Sequence, residues 1–419
     1  MSGSAPPPSD AHTPNAWFSP GRIEVLGKHT DYAGGRSLLA AVDRGVTAHV
    51  RPLPGDAARS TGPRLVARTS ALPGDLTIIP GKSNGLAAGH WGNYLQAVAD
   101  RLTSNFGPLE PAEVVIDSDL PLASGMSSSS ALIVSVGVAL AEYNGFVDHP
   151  LWKEHIHCPE DLAGYLACFE NGMSFGRLAG ERGVGTFGGS EDHTAMLCGH
   201  PNALVQYGFT PIVHERTIPF PDDLSLVVAV SGVAAEKTGR ARELYNRASL
   251  GVREILARWN AQPSVEQAIS LAAALRSSED APERAAQLVQ GEDYLQRRLA
   301  HFLVESERLI PQAGDALLAG DLATFGRVVD ESQTQASATL GNQVPQTDYL
   351  ADQARRAGAF ASCSFGAGFG GSVWALVPAS DADEFSTDWL ERYRVQYPTE
   401  AALATTLITR PGGPLRPVE

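Results

Sequence analysis

The chain has 419 residues, 43% hydrophobic and 19% charged, a globular balance with length for about two to three domains. With 32 basic and 47 acidic side chains the formal charge is −15, which argues against a nucleic-acid partner, because phosphate backbones are held by clustered Lys and Arg. Its 4 cysteines form no CxxC pair and sit beside no histidines at zinc-ligand spacing, which argues against a disulfide scaffold or a structural zinc site.

Residues 1–15, rich in Pro, Ser and Ala, read as a disordered tail without the basic and apolar regions of a signal peptide. Next comes Gly21–Arg36, GRIEVLGKHTDYAGGR, which crowds Arg22, Lys28, His29, Asp31 and Arg36 beside a turn at Gly34-Gly35. His29 and Asp31, two apart, point the same way on an extended segment, as a polyol ligand would need. A merely charged turn after a strand is the plainer reading of that pattern. Ser37–Val50 looks like strand, turn, strand, and His90–Leu102 has helical spacing, with Trp91, Tyr94, Leu95, Val98 and Leu102 on one face. Ala112–Ile116 is a short strand.

Leu120–Ala131, LPLASGMSSSSA, then opens an apolar helix from Ala131 to Tyr143 that is too short to span a bilayer. Gly125 permits an unusual backbone angle. The serines Ser127, Ser128, Ser129 and Ser130 follow, and free N–H groups at that helix start make an anion site. A serine-rich helix cap is the alternative. It is not a Walker A loop, since no Lys follows.

Asp161–Asn171 is helical in pattern. Gly172–Gly176, GMSFG, fits the G-x-S-x-G form of a hydrolase elbow, but a helical stretch stands where that elbow needs a strand. Glu191-Asp192, flanked by Gly188-Gly189 and an apolar run, suggests a partly buried acid that could act as a base. Prolines at 211, 219 and 221 mark a boundary within 205–225, and Leu224–Val230 is a strand. Residues 236–340 are largely helical. Gly366–Gly371, GAGFGG, matches G-x-G-x-x-G, but a strand, Ser372–Val377, follows it where a dinucleotide fold needs a helix. A helix over Ala382–Tyr393 and a disordered tail over 411–419 complete the α+β reading.

Taken in this order, GRIEVLGKHTDYAGGR, GMSSSSA and FGAGFGGS resemble the three motifs of the GHMP small-molecule kinases. The first is similar to the galactokinase signature, with support from Trp91-Gly-Asn-Tyr94 and Glu331-Ser332-Gln333. The resemblance spans about residues 20–380 and implies a two-domain fold: a ribosomal-S5-like N-terminal domain, 16–215, and a ferredoxin-like C-terminal domain, 216–410, with the site in the cleft between them. It implies phosphorylation of a sugar by ATP, at the anomeric hydroxyl.

Carried over by position, Asp192 and Arg22 would be catalytic. Lys28, His29, Asp31, Gly189 and Tyr245 would bind sugar. Trp91 and Tyr94 would lie near adenine, Gly125, Met126 and Ser127 to Ser130 would cradle phosphates, and Ser129 with Glu170 would hold Mg2+. The chain departs from the pattern at Glu24, where the family has Asn, at Lys28 in place of Glu, and at Glu191 in place of Met. It also carries an insertion between Glu170 and Asp192. Galactokinase is the expected activity. Because Lys28 could favour a C6 carboxylate, a kinase for a sugar such as galacturonate is an alternative, and a non-catalytic sugar- and ATP-binding regulator is another. The expected setting is cytoplasmic, with a small-molecule sugar as partner, no nucleic acid, no membrane, and a monomer or weak homo-oligomer.

Overall fold

The structure, a computed structural model, describes residues 16–53, 62–121, 124–233, 239–263 and 265–418. The expected tail at 1–15 lies outside them.

A large sheet forms from β1 (Ala16–Leu26), β2 (Arg36–Pro52), β3 (Leu65–Thr69), β4 (Leu72–Ile78), β5 (Ala112–Ser118), β6 (Ala203–Gly208) and β7 (Val213–Pro219). Apolar α1 (Gly92–Phe106) and α2 (Ser128–Tyr143) pack with it, as do α4 (Pro159–Asn171) and α5 (Glu191–Cys198), which follow the short α3 (Pro150–His155). Strand β2 is the spine. It runs antiparallel to β1 over most of its length, to β6 at Arg36–Leu39 and to β5 at Val46–Pro52.

The expected turn within Ser37–Val50 is therefore a continuous strand. Gly45 there serves close approach rather than reversal, since a Cβ would lie 2.0 Å from the Ser19 carbonyl oxygen of β1.

A second sheet has the order β11 (Thr405–Thr409), β8 (Leu224–Val230), β10 (Ser372–Pro378), β9 (Ala361–Ser364), all antiparallel. With α13 (Ala382–Gln396) between β10 and β11, this is the expected ferredoxin-like arrangement. Between β8 and β9 run α6 (Gly239–Asn260), α7 (Leu271–Leu275), α8 (Ala281–Leu288), α9 (Asp293–Phe302), α10 (Ile310–Leu318), α11 (Leu322–Gln335) and α12 (Pro345–Arg356). One apolar core joins the first sheet to α10, α11 and one face of the second. The expected boundary at 215 falls inside β7, which pairs with β6, so the chain changes sheets between Pro219 and Leu224.

The expected C-terminal tail is also corrected. Arg416–Val418 forms β12, which pairs with Ala16–Phe18 of β1 at the edge of the first sheet. Gly412 donates to the Ala41 carbonyl and Leu415 to that of Met196. Low complexity hid a segment whose partners lie at the other end of the chain.

Candidate active site

Asp192 is the second residue of α5. Acidic groups are favoured there by the free N–H groups of the first turn. Its carboxylate is held from two sides. Arg22 of β1 donates through Nε at 2.7 Å to Oδ1, and Ser127 donates through Oγ at 2.5 Å to Oδ2. Arg22 is buried and also donates to the Gly125 carbonyl at 2.6 Å, tying β1 to the serine loop. Burial opposes the Arg22 charge, but Asp192, Glu191 and Glu24 more than offset it and raise its pKa above the ordinary value.

The serine loop enters α2 with Gly125 at φ 73° and Ser127 at φ 55°. Ser127 spends its hydroxyl on Asp192 and does not cap the helix, so the N–H groups of the first turn stay uncapped. Ser127 and Ser130, three apart, face the same way. Ser130 Oγ donates at 2.6 Å to Glu170 Oε1. The serine that touches Glu170 is thus the neighbour of Ser129, the residue expected to hold Mg2+ with it. Thr186 donates to the other Glu170 oxygen at 3.2 Å, and His193 Nε2 stands 3.7 Å from Oε1. Met126 is fully buried, so only its backbone serves the loop.

His29, with φ 58°, lies in the turn that follows β1. Its Nε2 donates at 3.0 Å to the Ala367 carbonyl, which can only accept, so Nδ1 accepts from the Tyr32 hydroxyl at 2.7 Å. Asp31 accepts from the Glu191 N–H at 3.1 Å. Gly189 has no room for a side chain, since a Cβ would lie 2.5 Å from Asp31 Oδ2. The third motif is the β9–β10 hairpin. Its loop closes on the second motif, where Ser372 Oγ donates at 2.5 Å to the Ser124 carbonyl.

One cleft gathers Arg22, His29, Asp31, Glu170, Gly189, Asp192 and Tyr245 from the expected set. It also takes in Tyr32, His193 and Ala367, which sequence reasoning passed over. Tyr32 and His193 stand next to chosen residues, so adjacency was the available signal. Glu24, noted as a departure, and Glu191, noted also in the acidic pair, line the cleft as well.

Lys28 does not line it. This side chain is fully buried, with Nζ 3.0 Å from Cys363 Sγ and 3.4 Å from Ser332 Oγ. Burial opposes its charge, but Cys363, Glu305 and Glu24 raise its pKa. The left-handed turn at His29 sends the ring to the cleft and leaves Lys28 on the interior side. The reason for expecting a sugar acid is thereby removed.

A second groove, reached through Thr186, runs between α1 and residues 181–186. Tyr94 lines it with Lys82, Arg182 and Arg242, whereas Trp91 packs against the core and stacks on His90. Arg101 on α1 anchors the insertion by donating at 2.8 Å to the Met173 carbonyl. Among the described residues no helix is long and apolar enough to cross a membrane.

Comparison with known proteins gives three matches along the chain. Residues 9–52 match the galactokinase galactose-binding signature, residues 93–158 the GHMP kinases N terminal domain, and residues 315–395 the GHMP kinases C terminal region. The chain is similar to the galactokinase of Roseiflexus sp. (strain RS-1), 28% identical over 377 residues, covering 90% of this chain and 86% of that one. It is 29% identical to the galactokinase of Chloroflexus aggregans over 383 residues, covering 90% and 87%. Among solved structures, Lactococcus lactis galactokinase complexed with galactose superposes with a TM-score of 0.76 at 22% identity, covering 98% of this chain and 96% of that one. Methanococcus jannaschii mevalonate kinase shares the fold at a TM-score of 0.56 and 14% identity, covering 96% and 100%.

Proposed function

Because the chain belongs to the galactokinase-like branch of the GHMP kinases, we propose that it transfers the γ-phosphoryl group of ATP to the anomeric hydroxyl of galactose. The observation that carries this reading is the convergence of three motifs on one carboxylate. Asp192 is held by Arg22 from the first motif and Ser127 from the second, and the glycine hairpin of the third closes behind them.

In this reading the sugar lies among His29, Asp31, Gly189 and Tyr245, with its reacting hydroxyl at Asp192. Asp192 accepts the hydroxyl proton as the oxygen attacks phosphorus. Arg22 keeps Asp192 ionised beforehand and stabilises charge on the phosphoryl group in transfer. The uncapped first turn of α2 offers its N–H groups to the phosphates, and the nucleotide extends into the groove beside Tyr94. Tyr245, whose hydroxyl pKa is raised by burial and then by Asp31, stays protonated and able to donate.

The donor set suits Mg2+, which takes hard oxygen ligands: the Glu170 carboxylate and the Ser130 hydroxyl are of that kind. When bound with ATP, the ion neutralises charge on the triphosphate. Thr186 and Ser130 meanwhile orient Glu170 through its two oxygens.

The test is ADP release across a panel of sugars, with the product's phosphate located by NMR. The reading expects ADP release with galactose and a phosphate on the anomeric oxygen. ADP release with no sugar in the panel, or phosphate on another oxygen, overturns it. The regulator alternative has no support in the site, since the serine loop and both catalytic side chains are present and joined.

A further inference from the structure

Two buried glutamates lie side by side on the floor of the cleft, and the chemistry above uses neither. Glu24 follows Arg22 by two on β1, which puts both on one face of the strand. Glu191 precedes Asp192. The two glutamates are 2% and 5% exposed, and both line the cleft. Glu191 is satisfied by Ser37, which donates at 2.5 Å to Oε2. Glu24 is not: its Oε1 is buried with no hydrogen-bond partner. A buried acceptor left open in the wall of a ligand cleft calls for a donor from the ligand.

The surroundings define which ligands suit. Arg22, Lys28, Asp31, Asp192 and Glu305 are the charged groups that act on the pair. Arg22 is committed to Asp192 and Lys28 to Cys363 and Ser332, so neither of these cations is left to face a ligand carboxylate. Burial raises the carboxyl pKa of Glu24.

We propose that Glu24 is a specificity-determining residue that accepts a hydrogen bond from one hydroxyl of a neutral hexose and rejects a hexose bearing a carboxylate. The proposal rests on the sugar-kinase reading and names the substrate class of that same site. Glu24 acts here on ligand binding and takes no part in the proton transfer assigned to Asp192.

The experiment measures kcat/KM for galactose, its 2-, 3-, 4- and 6-deoxy analogues and galacturonate in wild type, Glu24→Gln and Glu24→Leu. Sugar binding is followed in parallel by calorimetry without ATP. Glu24→Leu is expected to lose galactose kcat/KM by roughly 10- to 100-fold, the scale of a hydrogen bond to a charged group. It should leave unchanged the one deoxy analogue that lacks the partnering hydroxyl. Glu24→Gln, which keeps the shape, is expected to narrow the discrimination against galacturonate by about tenfold or more.

Equal losses for every sugar in Glu24→Leu, or unaltered discrimination in Glu24→Gln, overturn the proposal and leave the kinase reading standing. A wild type that binds these sugars in the expected pattern yet releases no ADP overturns the kinase reading and supports the proposal. A wild type that binds none overturns both. ATP affinity checks folding, and Glu24→Gln stands as the test if Glu24→Leu does not fold.

Discussion

At the residue scale the site turns on how Asp192 is held. Asp192→Asn keeps the shape, loses the Arg22 ion pair and cannot take a proton. It is expected to lower kcat by about 10²- to 10⁴-fold while ATP affinity changes little. Steady-state kinetics with a separate nucleotide-binding measurement checks both. The serines separate in the same way. Ser130→Ala should raise the free Mg2+ needed for half-maximal rate and Ser129→Ala should not, because Ser130 is the serine that donates to Glu170. A titration of rate against free Mg2+ at saturating ATP compares the two.

Glu24 makes a pH prediction. Burial lifts its carboxyl from 4.5 to about 7. Between those values the folded chain holds a proton that the unfolded chain has released, so stability falls as pH rises across that interval. Above about 7 both states have lost the proton, and below about 4.5 both hold it. The total is at most about 3 kcal/mol, shared with Glu191. Melting temperature from pH 5 to 8 should decline less steeply in Glu24→Gln than in wild type.

The pairing of Arg22 with Asp192 joins two residues that each drew notice from their recognisable surroundings in the sequence. The burial of Lys28 was not legible there. It depends on a left-handed backbone at His29 and on Cys363 and Glu305, which are contributed by remote parts of the chain.

At the scale of elements, the second and third motifs behave as interlocking loops. Gly370 has φ 133°, and a Cβ there would lie 2.6 Å from the Val233 carbonyl oxygen. Gly370→Ala is expected to destabilise the protein by about 1–3 kcal/mol, through strain and displacement of the hairpin. Gly413→Ala, whose Cβ would approach nothing nearer than 3.5 Å, serves as the near-neutral comparison in urea unfolding. Elements with a strong local pattern were readable. Leu224–Val230 forms its strand as expected, and α2 begins three residues ahead of the expected Ala131. Ser37–Val50 was misread because its Asp-Arg-Gly triplet has the composition of a turn. Pairing along β1 overrides that local tendency, an effect of partners that periodicity does not contain.

At the scale of the whole molecule, the two halves are sewn together at both ends. Removing residues 411–419 would uncover the β1 edge at Ala16–Phe18 and leave the carbonyls of Ala41 and Met196 without their donors. It would also remove the Arg416 guanidinium from the Phe18 ring, 4.4 Å to its centre. The truncated protein is expected to be less stable by about 2–5 kcal/mol, several bonds at about 1 kcal/mol each, with a lower melting temperature in calorimetry. The fold class was legible in strand and helix signals that mix along the chain without a strict alternation. This strap was not, because Pro and Gly dominate it and its partners stand at the far end of the chain.

The strap also bears on synthesis. The first sheet, otherwise complete in sequence at Pro219, waits for Arg416–Val418 to cover its β1 edge. At 5–20 residues per second the intervening stretch takes on the order of 10–40 s to emerge from a ribosome. For that interval β1 presents an open edge with its pairing groups unclaimed, a template for neighbouring nascent chains. The closing residues thus act as a late-arriving guard against self-association during translation.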